Sequence, residues 1–481
     1  EITGKNLDWV FEDLITTTKN IDHKIKHVKQ DDNGTTVVVK NIGQVNSPVR
    51  VDAFSLGKYR GTKWVEPGNK KTEVHFTEKT FDEIKLDANR KMPEINRSNN
   101  QWHKKGLFGK IEPVSFEFLG GDNEANKTQI WYTPIAAFNV YDKFMLGLMF
   151  HNTTIPKNKF EYTIAPMFSF GRKNVSGFAD FKYNILPAKN FRMISVGVKG
   201  RTFKNELSLL SSEYMIANPY VNFQIGKPKS KKNYKQNLLL QGVYLFEKTQ
   251  SISGLIENIT YGGYAKYNFT YKHRLQAFKS EIKLDYVNQS SNSINLANLN
   301  IDAQYSYEYW DKKNKSIDIR AYLGTNLYTE GGSYNVYAFS PSGQTGSQDY
   351  FYDSYLFGRN QTEGLWAQQR LNNQGQMNTL SPFGASNQWL FTTNLFIDLP
   401  YLPFGAFGDI GVADIAGNTE IMYDLGLGLK LFDGNFAVYF PLYESKNLSN
   451  AYDSGTKYGQ KIKFILNLNA LSVDKIIQSN L

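Results

Sequence analysis

Residues 420–431 read Glu-Ile-Met-Tyr-Asp-Leu-Gly-Leu-Gly-Leu-Lys-Leu. Ile421, Tyr423, Leu425, Leu427, Leu429 and Leu431 fall on one face of an extended chain, and Glu420, Asp424, Gly426, Gly428 and Lys430 fall on the other. Alternation with period two marks a strand, because successive side chains point to opposite faces. The stretch is about 10 residues long, the length with which a tilted strand crosses a bilayer.

The same design recurs outward from there. Val175, Ala179, Phe181 and Tyr183 oppose Ser176, Asp180, Lys182 and Asn184. Ala265, Tyr267, Phe269 and Tyr271 oppose Lys266, Asn268 and Thr270, while Phe278, Ile282, Leu284 and Tyr286 oppose Lys279, Glu281, Lys283 and Asp285. Leu299, Ile301, Ala303, Tyr305 and Tyr307 oppose Asn298, Asn300, Asp302, Gln304, Ser306 and Glu308. Ile317, Ile319, Ala321 and Leu323 oppose Asp318, Arg320 and Asn326, and Ile462, Phe464, Leu466 and Leu468 oppose Lys461, Lys463, Asn467 and Asn469. Such segments predict an all-β chain: a transmembrane antiparallel β-barrel of about 16 strands (14–16).

Bulk composition agrees. The chain has 481 residues, 15% of them aromatic, and a mean hydropathy of −0.46. Interfacial girdles account for the aromatics, and only half of each barrel strand needs to be apolar. No run of 18 apolar residues exists, so spanning by a helix is excluded and a closed barrel remains. Cysteine is absent, which removes disulfides and thiolate metal sites. The net charge of +10 meets no recognisable nucleic-acid module, so nucleic acid is not an expected partner. The chain starts at Glu1 with no initiator Met and no apolar signal segment; the expectation is a removed leader or a start inside a longer protein.

Residues 1–125 read differently from 126–481. Residues 6–15 form a helix candidate with Asn6 or Asp8 as its cap. Short strands are expected at 24–28, 35–41, 49–53, 72–76 and 81–86, with a hairpin signal at Asp31-Asp-Asn-Gly34. This is a small β-sandwich, expected in the periplasm, with a polar connector after it at 89–109. In the barrel, tight connections are expected at 273–276, 311–314, 401–403 and 433–434. Longer ones are expected at 288–292, 444–457 and above all 330–387. If long loops are external, both termini are periplasmic and 330–387 is an extracellular loop, lying over the mouth, in the lumen, against a partner or in solvent.

Reactive chemistry is sparse. His23 and His27 have the spacing of a helical zinc pair, but on a strand their rings share a face too far apart for one metal. No nucleophile elbow or phosphate cradle sits in a strand-to-helix context. Lumen-facing Asp180, Glu281, Asp285, Asp302, Glu308, Asp318 and Asp424 are interleaved with Lys182, Lys279, Lys283, Arg320, Lys430, Lys461 and Lys463, and read as a salt-bridged interior. Gly426 and Gly428 read as room for strand curvature. No catalytic, cofactor-binding or metal-ligating residue is assigned.

Two resemblances add to this. The joint at Met92-Pro-Glu-Ile-Asn-Arg-Ser-Asn-Asn100, then Gly106-Leu-Phe-Gly109, Thr133-Pro-Ile-Ala-Ala-Phe-Asn139, Tyr141-Asp142 and Met145-Leu-Gly-Leu-Met-Phe-His-Asn152, resembles the C-terminal half of Bacteroidetes outer-membrane proteins of the aminopeptidase N-like zinc metallopeptidase family. Trp9, residues 35–41 and Trp64-Val65 are similar to the sandwich that comes after the catalytic domain there. The zinc motif of that family, His-Glu-x-x-His with a downstream Glu, is not in this sequence, so no catalytic residue carries over; zinc would belong to a domain upstream. Residues 427–442 and 460–464 resemble the last strands of BamA-like barrels. The resemblances imply a membrane anchor or scaffold for a periplasmic metallopeptidase-like module in the outer membrane. The alternatives are a subunit of an outer-membrane assembly or transport complex and a passive diffusion channel. Expected partners are the bilayer with its lipopolysaccharide and other outer-membrane proteins.

Overall fold

The computed structural model describes residues 7–104, 114–121, 127–154, 157–186, 190–207, 210–226, 233–251, 254–289, 293–311, 315–331, 337–380, 385–432, 434–452 and 455–467. Asn6, Gly106 to Gly109 of the joint, residues 290–292, 312–314 and 433 of expected connections, and Leu468 and Asn469 of the expected last strand lie outside these residues. The chain divides into two units, Glu1–Tyr132 and Thr133–Leu481.

The first unit opens with Trp9–Ile15, a π-helix rather than an α-helix, and Asp8 makes no side-chain cap to it. Next in the chain are strands β1 (His23–Asp31), β2 (Gly34–Asn41), β3 (Val49–Ser55), β4 (Lys58–Val65), β5 (Lys71–Phe76), β6 (Glu83–Leu86) and β7 (Gln101–His103). They form two sheets, β1-β2-β5 and β4-β3-β6-β7. Alternate residues of both sheets, among them Val37, Val39, Val49, Val51, Val65, Val74 and Ile84, meet in one buried core with Phe81 from the connection before β6. This is ordinary sandwich packing, apolar inside and polar outside. Two strands escape the sequence pattern. β4 is a sheet edge, exposed along most of its length, so it has no alternation to read. β7 lies in the expected connector.

The joint after β6 is tightly built. The Asp87 carboxylate accepts the Lys91 and Met92 N–H groups at 3.1 and 2.8 Å and pairs with Arg97 at 3.2 Å. Glu94 accepts the His23 N–H at 3.0 Å and meets its Nδ1 at 2.8 Å. Asn96 accepts the Ser98 N–H, and Asn99 donates to Asp22 at 2.8 Å. The polar side chains of the 92–100 motif thus bind it to the start of β1 and to the end of β6.

The wall strands are β8 (Val114–Phe118), β9 (Thr128–Asn139), β10 (Lys143–His151), β11 (Phe160–Ser169), β12 (Asn174–Ile185), β13 (Phe191–Leu207), β14 (Leu210–Ile225), β15 (Tyr234–Ser251), β16 (Gly254–His273), β17 (Gln276–Gln289), β18 (Ile294–Trp310), β19 (Lys315–Glu330), β20 (Gln369–Arg370), β21 (Trp389–Asp398), β22 (Phe404–Ile415), β23 (Asn418–Leu431), β24 (Phe436–Glu444) and β25 (Lys463–Leu466). They form one sheet that closes into a barrel. Two of these pairings are parallel, β8 with β9 and β20 with β25; β19 pairs directly with β21. Setting β8 and β20 aside, sixteen strands run up and down in succession, within the expected range.

The wall is apolar outside. On β23, Ile421 and Leu425 are 61% and 51% exposed, whereas Met422 and Asp424 are fully buried. A water-soluble barrel would reverse this; a lipid-facing one requires it. The structure is all-β as read: a lipid-facing barrel preceded by a small β domain.

Three expectations need correction. Tight turns occur at both ends of the wall: Leu207 pairs with Leu210, Ser251 with Gly254 and Ile415 with Asn418 at one end, and His273 with Gln276 at the other. Loop length therefore does not orient the barrel. Lys461 closes a short helix, Tyr458–Lys461, and the last strand begins at Lys463, with Phe464 covered rather than facing lipid. Finally, a bulge between Ile25 and His27 breaks the strand period, so His23 is buried and His27 exposed; the two do not share a face.

Candidate functional site: the filled lumen

The inward row of each strand supplies the side chains, because the period-two pattern that sends Leu425 to lipid sends Asp424 inward. The segment 337–380, between β19 and β21, packs against these rows. Its contacts reach β9, β13, β15, β17, β19, β22, β23 and β25 in turn. In a closed barrel, one segment reaches inward side chains of so many strands only from within the lumen.

One half of this plug is aromatic. Tyr350 donates to Asp285 at 2.7 Å, and Tyr352 donates to Glu247 while accepting from Asn205 at 2.8 Å. Tyr337, Tyr350, Phe351 and Tyr352 bury themselves with wall residues Tyr214, Ile216, Val243, Leu245 and Tyr264. Arg359 ties the half together. It pairs with Asp349 at 3.1 Å, donates to the carbonyls of Gly346 and Ser354, and lies 4.1 Å from the Tyr352 ring centroid. Burial pushes the Asp349 carboxyl above its ordinary value, against the pull of Arg359. A cavity beside Arg359, lined also by Asn139, Tyr141, Phe203 and Tyr355, has room for about one water.

The other half is held by its backbone. Arg320 donates to the Gln374 carbonyl at 2.7 Å, and Thr392 and Asn394 donate to that of Gly375 at 2.8 and 3.2 Å. Lys463 donates to the carbonyls of Met377 and Ser342 at 2.6 and 3.1 Å. Asp409 accepts the Asn378 N–H at 2.7 Å, and Asp424 accepts the Thr379 N–H at 2.6 Å. A buried segment whose one short strand, β20, covers only Gln369 and Arg370 needs partners for its other peptide groups, and charged and polar wall side chains provide them.

The charges expected in the lumen are mostly paired: Lys283 with Asp285, Lys430 with Asp318, Arg320 with Asp302, Lys266 with Glu281. Lys182 meets Glu161 and Lys461 meets Glu444, two carboxylates that the strand pattern does not single out. Asp424 and Lys463 do more than line the wall, since they hold the plug. Gly426 and Gly428 also leave room for their neighbours: a Cβ at Gly426 would run into the Phe440 carbonyl oxygen and lie 2.6 Å from the Phe407 ring, and one at Gly428 would lie 2.8 Å from Phe396. Among the described residues, no group of three or more His, Asp or Glu is placed to hold a metal ion. No position of the chain fits the zinc set of the peptidase family.

No protein-family model matches the chain, and no curated protein matches it. Among solved structures, it is similar to CdiB from Escherichia coli, with a TM-score of 0.39 and 10% identity over 72% of this chain and 65% of that one. CdiB from Acinetobacter baumannii gives 0.33 and 9% over 67% and 60%. BamA from Haemophilus ducreyi lacking POTRA domains 1-3 gives 0.35 and 9% over 70% and 71%. The chain thus spans under two thirds of either CdiB chain.

Proposed function

We propose that this chain is an outer-membrane barrel whose lumen is closed by its own loop and whose task is to anchor and scaffold a periplasmic module. The observation that carries the closed lumen is the seating of 337–380 by wall side chains, through both its backbone and its buried tyrosines. A passive diffusion channel fits poorly with a lumen so filled. Sixteen up-and-down strands bring the two ends of the wall to one side, and that side is the one we assign to the periplasm. The joint motif's resemblance to the peptidase family supplies the module's kind.

Planar-bilayer recording tests the closure. The intact protein should give no conductance steps, and a variant with 337–380 replaced by a short Gly-Ser bridge should give large ones; steady conductance by the intact protein would sink the reading. The module is tested by the residues encoded upstream of Glu1. A His-Glu-x-x-His domain there supports it, and a signal peptide ending at Glu1 refutes it. A second reading, a subunit of an outer-membrane assembly or transport complex, is favoured by the BamA-like sequence of the last strands. Co-purification with other outer-membrane proteins from detergent extracts would decide for it, and a strictly monomeric particle against it.

A further inference from the structure

We infer that the hairpin joining β3 to β4 is a docking surface for an anionic lipid headgroup layer. Ser55 pairs with Lys58, leaving Leu56 and Gly57 as a two-residue turn. Both have positive φ, 52° and 72°. Such turns favour Asn-Gly, because a branched side chain strains the left-handed conformation. Packing does not compensate for the leucine, which is 85% exposed. The turn is nonetheless held in place: the Leu56 N–H donates to the Asp82 carboxylate at 2.8 Å. A fixed, strained turn that presents a leucine to solvent points to a use for that leucine.

The residues beyond the leucine suit one kind of surface. Lys58, Tyr59, Arg60, Lys63 and Trp64 are all exposed along β4. Residues 55–65 contain no carboxylate; Glu66 follows at the far end of β4, and the carboxylates beside the hairpin are engaged, Asp82 with the turn, Asp52 with Thr62 and Arg50 at 2.8 and 2.9 Å, and Glu83 with Lys85 at 2.7 Å. Lysines alone would be accounted for by protection of a sheet edge. An apolar tip, two amphipathic rings and three cations go beyond that need. This is the composition that settles at a negatively charged membrane surface, where rings sit at headgroup level and each cation adds attraction. The β1–β2 hairpin of the same unit, with Asp31, Asp32 and Asn33 at its tip, has the opposite character.

The chain has no cysteine, so Ser55→Cys gives a single labelling site beside an intact Leu56. The full protein carrying an environment-sensitive fluorophore there would be reconstituted into vesicles of phosphatidylcholine alone or with phosphatidylglycerol. The expected result is a blue shift and quenching by headgroup-level nitroxide lipids in the anionic vesicles only. A label at Asp32→Cys should read water in both. Neutralising Lys58 or Arg60 to Gln should weaken the anionic preference about fivefold per cation removed. Leu56→Asn should abolish the shift while keeping or raising the unfolding temperature, since Asn suits the turn. The proposal is overturned if the label at 55 reads water in both vesicles, or if Leu56→Asn leaves the shift intact. It is equally overturned if the shift is the same in both vesicles and in detergent, which would mean a protein contact.

Discussion

The sandwich and the barrel are built from the same element with its faces exchanged. In the sandwich, Val37, Val51 and Ile84 point into a core where nothing polar is needed. In the barrel wall, Ile421, Leu425 and Ile410 point out, and Asp409, Asp424 and Lys463 point in. The first arrangement is stabilised by removing apolar surface from water. The second gains that way mainly where the plug's rings meet Tyr214, Val243, Leu245 and Tyr264, and the rest of its interior is organised by hydrogen bonds and ion pairs that fit a specific segment of chain. A sandwich core tolerates any good packing; the lumen holds a plug only where each peptide group has its partner.

That contrast can be broken or sharpened by experiment. The largest effect is expected from replacing 337–380 by a short bridge, which should turn a silent barrel into a conducting one in planar bilayers. Next comes Phe81→Ala, which empties the middle of the sandwich core. It should cost about 3–5 kcal/mol of that unit's stability, read as lost hydrogen-exchange protection of β1 to β6 with the wall unaffected. Arg359→Met leaves Asp349 buried without its cation and should loosen the plug by about 3 kcal/mol or somewhat more. The measurement is exchange of the 337–380 amides, with wall amides still protected. Leu425→Ala removes methylene groups from lipid and should cost about 2 kcal/mol in urea unfolding from vesicles, and Leu425→Arg should cost about 2–4 kcal/mol beyond that by placing a charge there. Two variants of equal stability would mean that this face meets water rather than lipid.

Much of this contrast is legible in the sequence, but unevenly. The wall is readable because period two is a local property, visible at Ile421 to Leu431 without knowledge of any neighbour. The plug is not, because 330–387 has no period. What seats it is a set of charges scattered from Glu247 to Lys463, and Asp424 and Lys463 read as lining until the segment they hold is in view. The pattern misplaces His27 because a single bulged residue shifts the strand by one and leaves no trace in the sequence. The 92–100 motif is distinctive on sight, yet the reason lies in partners that precede it in the chain, Asp22, His23 and Asp87. β4 is hard to see because an exposed edge has no buried face to impose a pattern.

One detail of the plug bears on how the protein is made. Part of what seats the loop is synthesised after it: Asn378 and Thr379 bond to Asp409 and Asp424, and Met377 to Lys463 on β25. Glu247, Asp285 and Arg320 are already made when the loop emerges, but the 377–379 stretch must wait for β22, β23 and β25. Completing the wall and finishing its filling are then one late event, and a chain that stops short of β25 would be left with a half-seated loop and an unfinished wall.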